Sequence, residues 1–300
     1  MEKDVSTYLG IEIKHKKDGS IERPQPYLIQ KILEATGMTA CNSRTTPALT
    51  EPLGKDPEGD EQKDHWSYPS VIGMLMFFHA NTRPHISFAV HQCARFNHDP
   101  KRSHEEAVKQ ICRYLMGTKD QGIKFRPTGK FVLDCYVDAD FAGLWKAEDS
   151  QDPTCVRSRT GYVLIFGGCP LLWVSKLQTE IALSTTEAEY IALSQSMRDL
   201  IPLKSLITEI LSNYGVNLQE ANTHSTVFED NNGTLSLAHT PAMTPRTKHI
   251  GVKYHFFWEH VRRGTVKIVK VESENQKADI FTKGLGSIKF ETIRKMLMGW

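Results

Sequence analysis

No uninterrupted apolar run in the chain approaches the roughly 18 residues of a membrane span, so no membrane partner is expected. The first residues, MEKDVSTYLG, are charged and then mixed and lack an apolar h-region, which predicts no secretory signal. Cysteine is present but never clustered: Cys41, Cys93, Cys112, Cys135, Cys155 and Cys169 form no CxxC pair and no His/Cys group of zinc spacing. Scattered thiols of this kind fit reduced cysteines in an intracellular protein. Charge of one sign is missing too. Lys and Arg number 37 against 35 acids, with 19 basic and 16 acidic residues in 1–130 and 18 and 19 in 131–300. No global field steers a polyanion here, so nucleic-acid contact has to come from local patches. What is there is ordinary for a globular chain, 24% charged and 40% hydrophobic, and 300 residues lead us to expect two compact units.

The segment YLGIEIKHKKDGSIERPQPYLIQKILEATGM reads as a strand, a polar turn at Asp18-Gly19, a short extended piece and a helix over Tyr27–Thr36, with Gly37 as its C-cap. Residues 45–64 are rich in Pro, Gly and Thr, and 51–64 carry six acids against two lysines, a flexible-linker composition. From Ser67 the pattern turns helical over about 50 residues, punctuated by Pro69, Pro84 and Pro100; its last helix is opened by a Ser103 cap and stops at Gly117. After RPTGK come three strands, FVLDCYVDAD, RTGYVLIFGG and PLLWVSK, which predict an antiparallel meander. A long helix from Ser184, strand STVFED, helices GTLSLAH and GVKYHFFWEHV, strand GTVKIVKVE and helix QKADIFTKGL follow. The plan is α/β around a mixed five-stranded sheet.

Four places in this second part put a carboxylate at a strand end or on a covering helix: Asp138 or Asp140, Glu187 or Glu189, Glu229 or Asp230, and Asp279. Converging carboxylates repel in a partly dry cleft unless hard cations join them, and oxygen ligands suit Mg²⁺ or Mn²⁺. Two such ions would clamp the attacking and leaving oxygens of a phosphodiester hydrolysis. In ALSTTEAEY the spacing of Ser184 and Glu187 is that of a capping box, which gives Glu187 a structural role. At about 100° per residue Glu189 points some 200° away, so it is the one left for a site. The alternation along the first strand puts Asp138 and Asp140 on one face and does not separate them. Residues 246–263, RTKHIGVKYHFFWEHVRR, hold five Arg or Lys against one Glu with aromatics between. Arg246, Lys248 and Lys253 suit phosphate contact there.

YVDADFAG, SRTGYVLIFGG, WVSKLQTEIALSTTEAEY, FEDNNGTLSLA, RTKHIGVKYHF and NQKADIFTKGL resemble, in order, the motifs of the RNase H domain of copia-type LTR retrotransposon Pol polyproteins. Upstream, YLGIEI, YPSVIGMLMFFHANTRPHISFAV and AVKQICRYLMGTKDQGI resemble the end of the same family's reverse transcriptase and its connection region. The resemblance implies an RNase H-like fold after a small, mainly helical reverse-transcriptase thumb and connection region. Its segments would be 1–44 (end of palm and thumb), 45–64 (linker), 65–128 (connection), 129–286 (RNase H) and 287–300 (C-terminal tail). It implies metal-binding catalytic carboxylates at Asp138, Glu189, Asp230 and Asp279, with the choice of Asp138 over Asp140 resting on it alone. It also implies two Mg²⁺ ions, with Mn²⁺ as a substitute, and cleavage of the RNA strand of an RNA–DNA hybrid to a 3′-OH and a 5′-phosphate. Such a hybrid is read by shape and 2′-OH groups.

The polymerase's own DD motif lies upstream in that family and no DD dipeptide stands here, so no DNA synthesis is expected from this chain alone; the upstream palm and fingers would be a partner. KFETIRKMLMGW resembles a natural Pol terminus while the start cuts into a domain, as in a 5′-truncated or separate fragment. A retrotransposon particle in the cytoplasm, or the nucleus, would be its place. KVESENQKAD lacks the histidine that assists product release in many RNases H, and His85 and Gly251 stand where the family usually has acids. Those departures, with the truncation, motivate the alternative of a catalytically silent remnant that binds nucleic acid.

Overall fold

The computed structural model describes residues 6–145, 152, 154–216, 225–239 and 255–300. Two short hairpins come first, β1 (Thr7–Tyr8) with β2 (Ile11–Glu12) and β3 (Lys14–His15) with β4 (Ile21–Arg23). Helix α1 (Pro26–Ala35) takes Pro26 in its first turn, where no donor is lost. It ends at Gly37, whose φ of +66° lets the N–H groups of Gly37 and Met38 reach back to the Glu34 and Leu33 carbonyls at 3.1 and 2.8 Å. Then follow α2 (Tyr68–Asn81), α3 (Ser87–Ala94), α4 (Arg102–Gly117) and β5 (Ile123–Phe125), which pairs with β4. The second part runs β6 (Leu133–Asp140), β7 (Arg159–Phe166), β8 (Cys169–Leu177), α5 (Thr185–Asn213), β9 (Ser225–Glu229), α6 (Asn232–His239), α7 (Trp258–Arg262), β10 (Val266–Lys270) and α8 (Asp279–Thr282). Helix α9 (Ser287–Met298) closes the chain.

Two compact units result, the first from residues 1–126 and 283–300 and the second from Pro127–Thr282. The segment expected at 129–286 falls in a unit that ends at Thr282, and residues 287–300, expected as a C-terminal tail, belong to the first unit. Helix α9 buries Phe290, Ile293, Leu297 and Met298 in the first unit, and the Trp300 indole N–H donates to the Gly122 carbonyl at 2.8 Å. The fully buried Arg83 guanidinium lies 5.4 Å from the Phe78 ring and 5.3 Å from that of Trp300 and donates to the Thr118 and Gln121 carbonyls. His85 is a core residue here, edge-on to Tyr114 and Trp300.

Two further expectations change. Residues 45–64 are pinned: Arg102 N–H donates to Asp60 O at 2.8 Å, Gln110 Nε2 to Thr46 O at 2.8 Å, and Lys63 N–H to the buried Glu105 carboxylate at 2.8 Å. Their linker composition reflects exposed polar side chains, while the backbone is held by partners distant in sequence. Helix α4 is capped at Lys101, whose N–H donates to His104 Nδ1 at 2.8 Å, and not at Ser103, which lies inside the helix.

In the second unit the sheet order is β10-β9-β6-β7-β8, with β6, β7 and β8 antiparallel and β9 and β10 parallel to β6. This is the mixed five-stranded sheet of an RNase H-like α/β fold. Leu133, Cys135, Val137, Tyr162, Leu164 and Val227 meet Ala188, Ile191, Ala192 and Met197 of α5 in one core. All six cysteines are free; burial pushes the thiols of Cys93 and Cys135 up to about 12, which leaves them protonated. Among the described residues no helix is long and apolar enough to cross a membrane.

Candidate metal centre

Strand β6 alternates between the core under α5 and the opposite face, so Asp138 stands on the face away from Cys135 and Val137, paired in register with Gly161 of β7. Asp138 is 2% exposed and accepts a hydrogen bond from the Thr282 hydroxyl of α8, which also donates to the Asp279 carbonyl at 3.2 Å. The segment before α8 is stitched to the same strand by Gln276 Nε2, which donates to Val137 O at 2.8 Å. Gly161 allows this approach: a Cβ there would stand 2.6 Å from Thr282 Cγ2 and 2.8 Å from Phe281 Cβ. Asp140 ends β6 opposite Arg159, with its carboxylate packed over Gly143. The two acids that alternation could not separate therefore differ, Asp138 buried beneath α8 and Asp140 at the following turn.

Glu187 and Glu189 part as the helical geometry requires. Ser184 Oγ accepts from the Glu187 N–H at 3.1 Å, and Glu187 Oε2 accepts from the N–H of Leu183 at 2.8 Å. The reciprocal bond thus reaches one residue before the cap, Leu183 instead of Ser184. Gln178 anchors the same turn, donating to the Ala188 carbonyl at 2.8 Å and to Thr160 Oγ1 at 3.1 Å. Glu189 is buried on the other side of α5.

Asp230 follows β9 and accepts from Ser273 Oγ at 2.9 Å. Asn231 Oδ1 takes the Thr234 N–H at 3.0 Å, and Thr234 Oγ1 donates to the Thr186 carbonyl at 3.2 Å, which joins the starts of α5 and α6. One carboxylate oxygen each from Asp138, Glu189 and Asp230 lies within 4.8 Å of the others. Asp279 is buried at the start of α8 and stands outside this group. Arg246, Lys248 and Lys253 of the basic segment, and Gly251, fall outside the described residues. In its described part Phe257 is buried against Tyr190, whereas Phe256 is exposed.

Sequence reasoning left Glu229 and Asp230 as alternatives, and both matter. Glu229 is fully buried; one oxygen accepts the Asn231 N–H at 3.0 Å and the other has no hydrogen-bond partner. Burial raises its carboxyl well above the usual range, and the charges of Asp138 and Asp230 add to that. Strand alternation gives the signal for it, since Glu229 shares the inward face of β9 with Val227.

Three hard oxygen donors fit a divalent ion. Mg²⁺ holds its ligands at about 2.1 Å, so oxygens on opposite sides of it are roughly 4.2 Å apart. The spacing of Asp138, Glu189 and Asp230 is close to that with only side-chain adjustment. The oxygen-only donor set suits Mg²⁺ or Mn²⁺ over softer metals.

No family model matches the chain. It is 32% identical over 294 residues to a retrovirus-related Pol polyprotein from transposon RE2 of Arabidopsis thaliana, covering 98% of this chain and 19% of that protein. To the corresponding polyprotein from transposon TNT 1-94 of Nicotiana tabacum it is 33% identical over 296 residues, covering 96% of this chain and 21% of the other. The chain thus spans about a fifth of the length of these relatives. Among solved structures, the N-terminal RNase H domain of a Mycobacterium tuberculosis protein aligns over 55% of this chain and 98% of its own, at 11% identity and a TM-score of 0.34.

Proposed function

This chain belongs to the copia-type retrotransposon Pol polyproteins, and from that premise we propose that its second unit is a ribonuclease H that hydrolyses the RNA strand of RNA–DNA hybrids with two divalent ions. The observation that carries the reading is the meeting of Asp138, Glu189 and Asp230 within 4.8 Å, from three elements remote in sequence. Bound there, the ions supply a nucleophile from water and charge neutralisation at the phosphate.

The residues supply the positioning. Asp138 is oriented by the Thr282 hydroxyl, Asp230 by Ser273, and Glu189 by a helix whose first turn is fixed by Ser184, Glu187 and Gln178. Preorganised ligands of this kind remove the need to reorganise when the substrate phosphate arrives. Asp279, buried on the segment that reaches Asp138 through Thr282, would serve as a further ligand of the ions. Arg246, Lys248 and Lys253 serve the hybrid's phosphates; their basic segment is the support. We assign the chain alone no DNA synthesis, and the upstream reverse-transcriptase part stands as its natural partner.

The test is incubation of the whole chain with a labelled RNA–DNA hybrid in Mg²⁺. Cleavage of the RNA strand, ended by EDTA and reduced about a hundredfold or more by Asp138→Asn, is the expected outcome. An intact hybrid after incubation with the parent would mean a silent remnant.

A further inference from the structure

The first unit gathers two guanidinium groups in one part of its core. Arg83 is fully buried and donates to the Thr118 hydroxyl and carbonyl at 3.1 and 2.7 Å and to the Gln121 carbonyl; among the described residues no carboxylate pairs with it. The guanidinium carbons of Arg83 and of Arg294 on α9 lie 5.3 and 4.4 Å from the centre of one ring, Trp300. The acid nearest Arg294 is Glu291, which is exposed, stands 3.8 Å away and pairs with Lys295 at 2.9 Å. Buried His85 lies edge-on to Tyr114 and Trp300, with ring centres 5.5 and 5.6 Å apart. Arg83 Nε, Arg294 Nε and both ring nitrogens of His85 are buried without a hydrogen-bond partner, and the Tyr114 hydroxyl faces Arg294 without closing a hydrogen bond to it. Buried polar atoms are almost always paired, so five orphans on four neighbouring side chains point to a ligand. Charge gives its sign. Burial holds Arg83 down to about 10, which leaves it charged at neutral pH, while burial and the two guanidiniums keep His85 neutral. Ring faces and carbonyls replace part of the lost hydration, but two cations in one dry place still lack a counter-charge.

We propose that Arg83, His85, Tyr114 and Arg294 form a receptor for a small monovalent anion, a halide or a carboxylate, beside the Trp300 ring. The donors set the class: N–H and O–H groups of two cations, a phenol and a neutral imidazole, with apolar rings around them. The cost of drying an ion grows with the square of its charge, which disfavours sulfate or a phosphate dianion here. The Arg294 side chain is 15% exposed and Trp300 is half-buried, so the anion enters from their side. Bound there, it ties α9, whose Phe290 meets Tyr114 of α4, to the turn that Trp300 reaches through the Gly122 carbonyl. The stability of the first unit then depends on the anion, independently of the ribonuclease reading of the second.

The test titrates the whole chain with sodium chloride, ionic strength held constant with sodium gluconate, whose anion is too large for a buried site. Amide hydrogen exchange reads the first unit, and the second unit in the same sample gauges general salt effects. Once chloride exceeds its dissociation constant, each tenfold increase slows exchange of the most protected first-unit amides about tenfold relative to the second unit. Formate, as the carboxylate probe, acts in the same way, and sulfate changes both units alike. Two variants, checked for fold by circular dichroism, locate the site. Arg294→Met loses the response. His85→Asp supplies a carboxylate of its own, so at low chloride its first unit exchanges as slowly as the anion-saturated parent and gains nothing from more. A readout that needs no variant fold is the Nε–H resonances of the parent: those of two arginines shift with chloride to saturation and the rest do not. A first unit no more sensitive to chloride or formate than the second would overturn the proposal. So would folded Arg294→Met and His85→Asp chains that respond like the parent, or Nε–H signals that all drift together in proportion to chloride.

Discussion

Each unit buries acids, and the two treat them in opposite ways. In the first, Glu105 of α4 is fully buried, with Lys109 Nζ 2.5 Å from one oxygen and the N–H groups of Lys63 and Asp64 at 2.8 and 3.4 Å from the other. Its charge is answered on the spot, and what it does is hold residues 63–64 to a helix. In the second, Asp138, Glu189 and Asp230 bring like charges together over a buried Glu229. Burial of an acid is therefore not what marks a site. What sets the second group apart is convergence, one carboxylate oxygen from each of three elements lying within 4.8 Å of the others, a spacing that hard divalent cations suit.

The most drastic way to break the comparison is to remove residues 283–300. Phe290, Ile293, Leu297 and Met298 leave the first unit's core, each worth about 1.5–3 kcal/mol of burial, so that unit should unfold while the second keeps its cooperative transition. Hydrogen exchange resolved along the chain reads the two separately. Next in size is a matched pair of substitutions. Glu105→Gln strips Lys109 of a buried partner and should cost the first unit about 3 kcal/mol in urea unfolding. Asp138→Asn relieves repulsion, so the second unit should hold or gain stability while losing activity; equal losses in the two would erase the distinction.

Protonation separates the units more gently. Burial holds His79 down to about 3 and keeps His85 and His104 below the usual imidazole range as well. In the unfolded chain these rings take up a proton near 6.5, so below that pH the unfolded state binds more protons than the folded one. The stability they contribute is fully present above about 6.5 and declines as pH falls, by about 1.4 kcal/mol per pH unit for each histidine left neutral in the fold. Urea midpoints between pH 7.5 and 5.5 should fall for the first unit, and more weakly after His79→Gln. The smallest effect is at the helix start, where Ser184→Ala should cost about 1 kcal/mol and leave cleavage in place.

Much of this was legible in the sequence because short-range rules govern it. Strand alternation marks the five strands, and the Ser184 and Glu187 spacing separates one glutamate from the other. What depends on partners far along the chain was not legible. The polar stretch 45–64 reads as free, yet carbonyls and N–H groups of 46, 60 and 63 find partners in α4. Helix α9 follows the RNase H motifs in sequence but fills the core begun by α2 and α4. The helix read from QKADIFTKGL is only Asp279–Thr282, because Gln276 and Thr282 are engaged with β6. Position on a covering helix and family motif both set Asp279 with the other three acids, and it is not among the three whose oxygens meet within 4.8 Å.

The most direct measurement sets the two glutamates of ALSTTEAEY side by side. Glu187→Gln and Glu189→Gln are assayed with the parent on one RNA–DNA hybrid in Mg²⁺. The parent should cleave, Glu187→Gln should keep its rate within about tenfold because its role is at the helix start, and Glu189→Gln should lose about a hundredfold or more. Equal loss in both variants, or a Glu189→Gln chain as active as the parent, would contradict these roles.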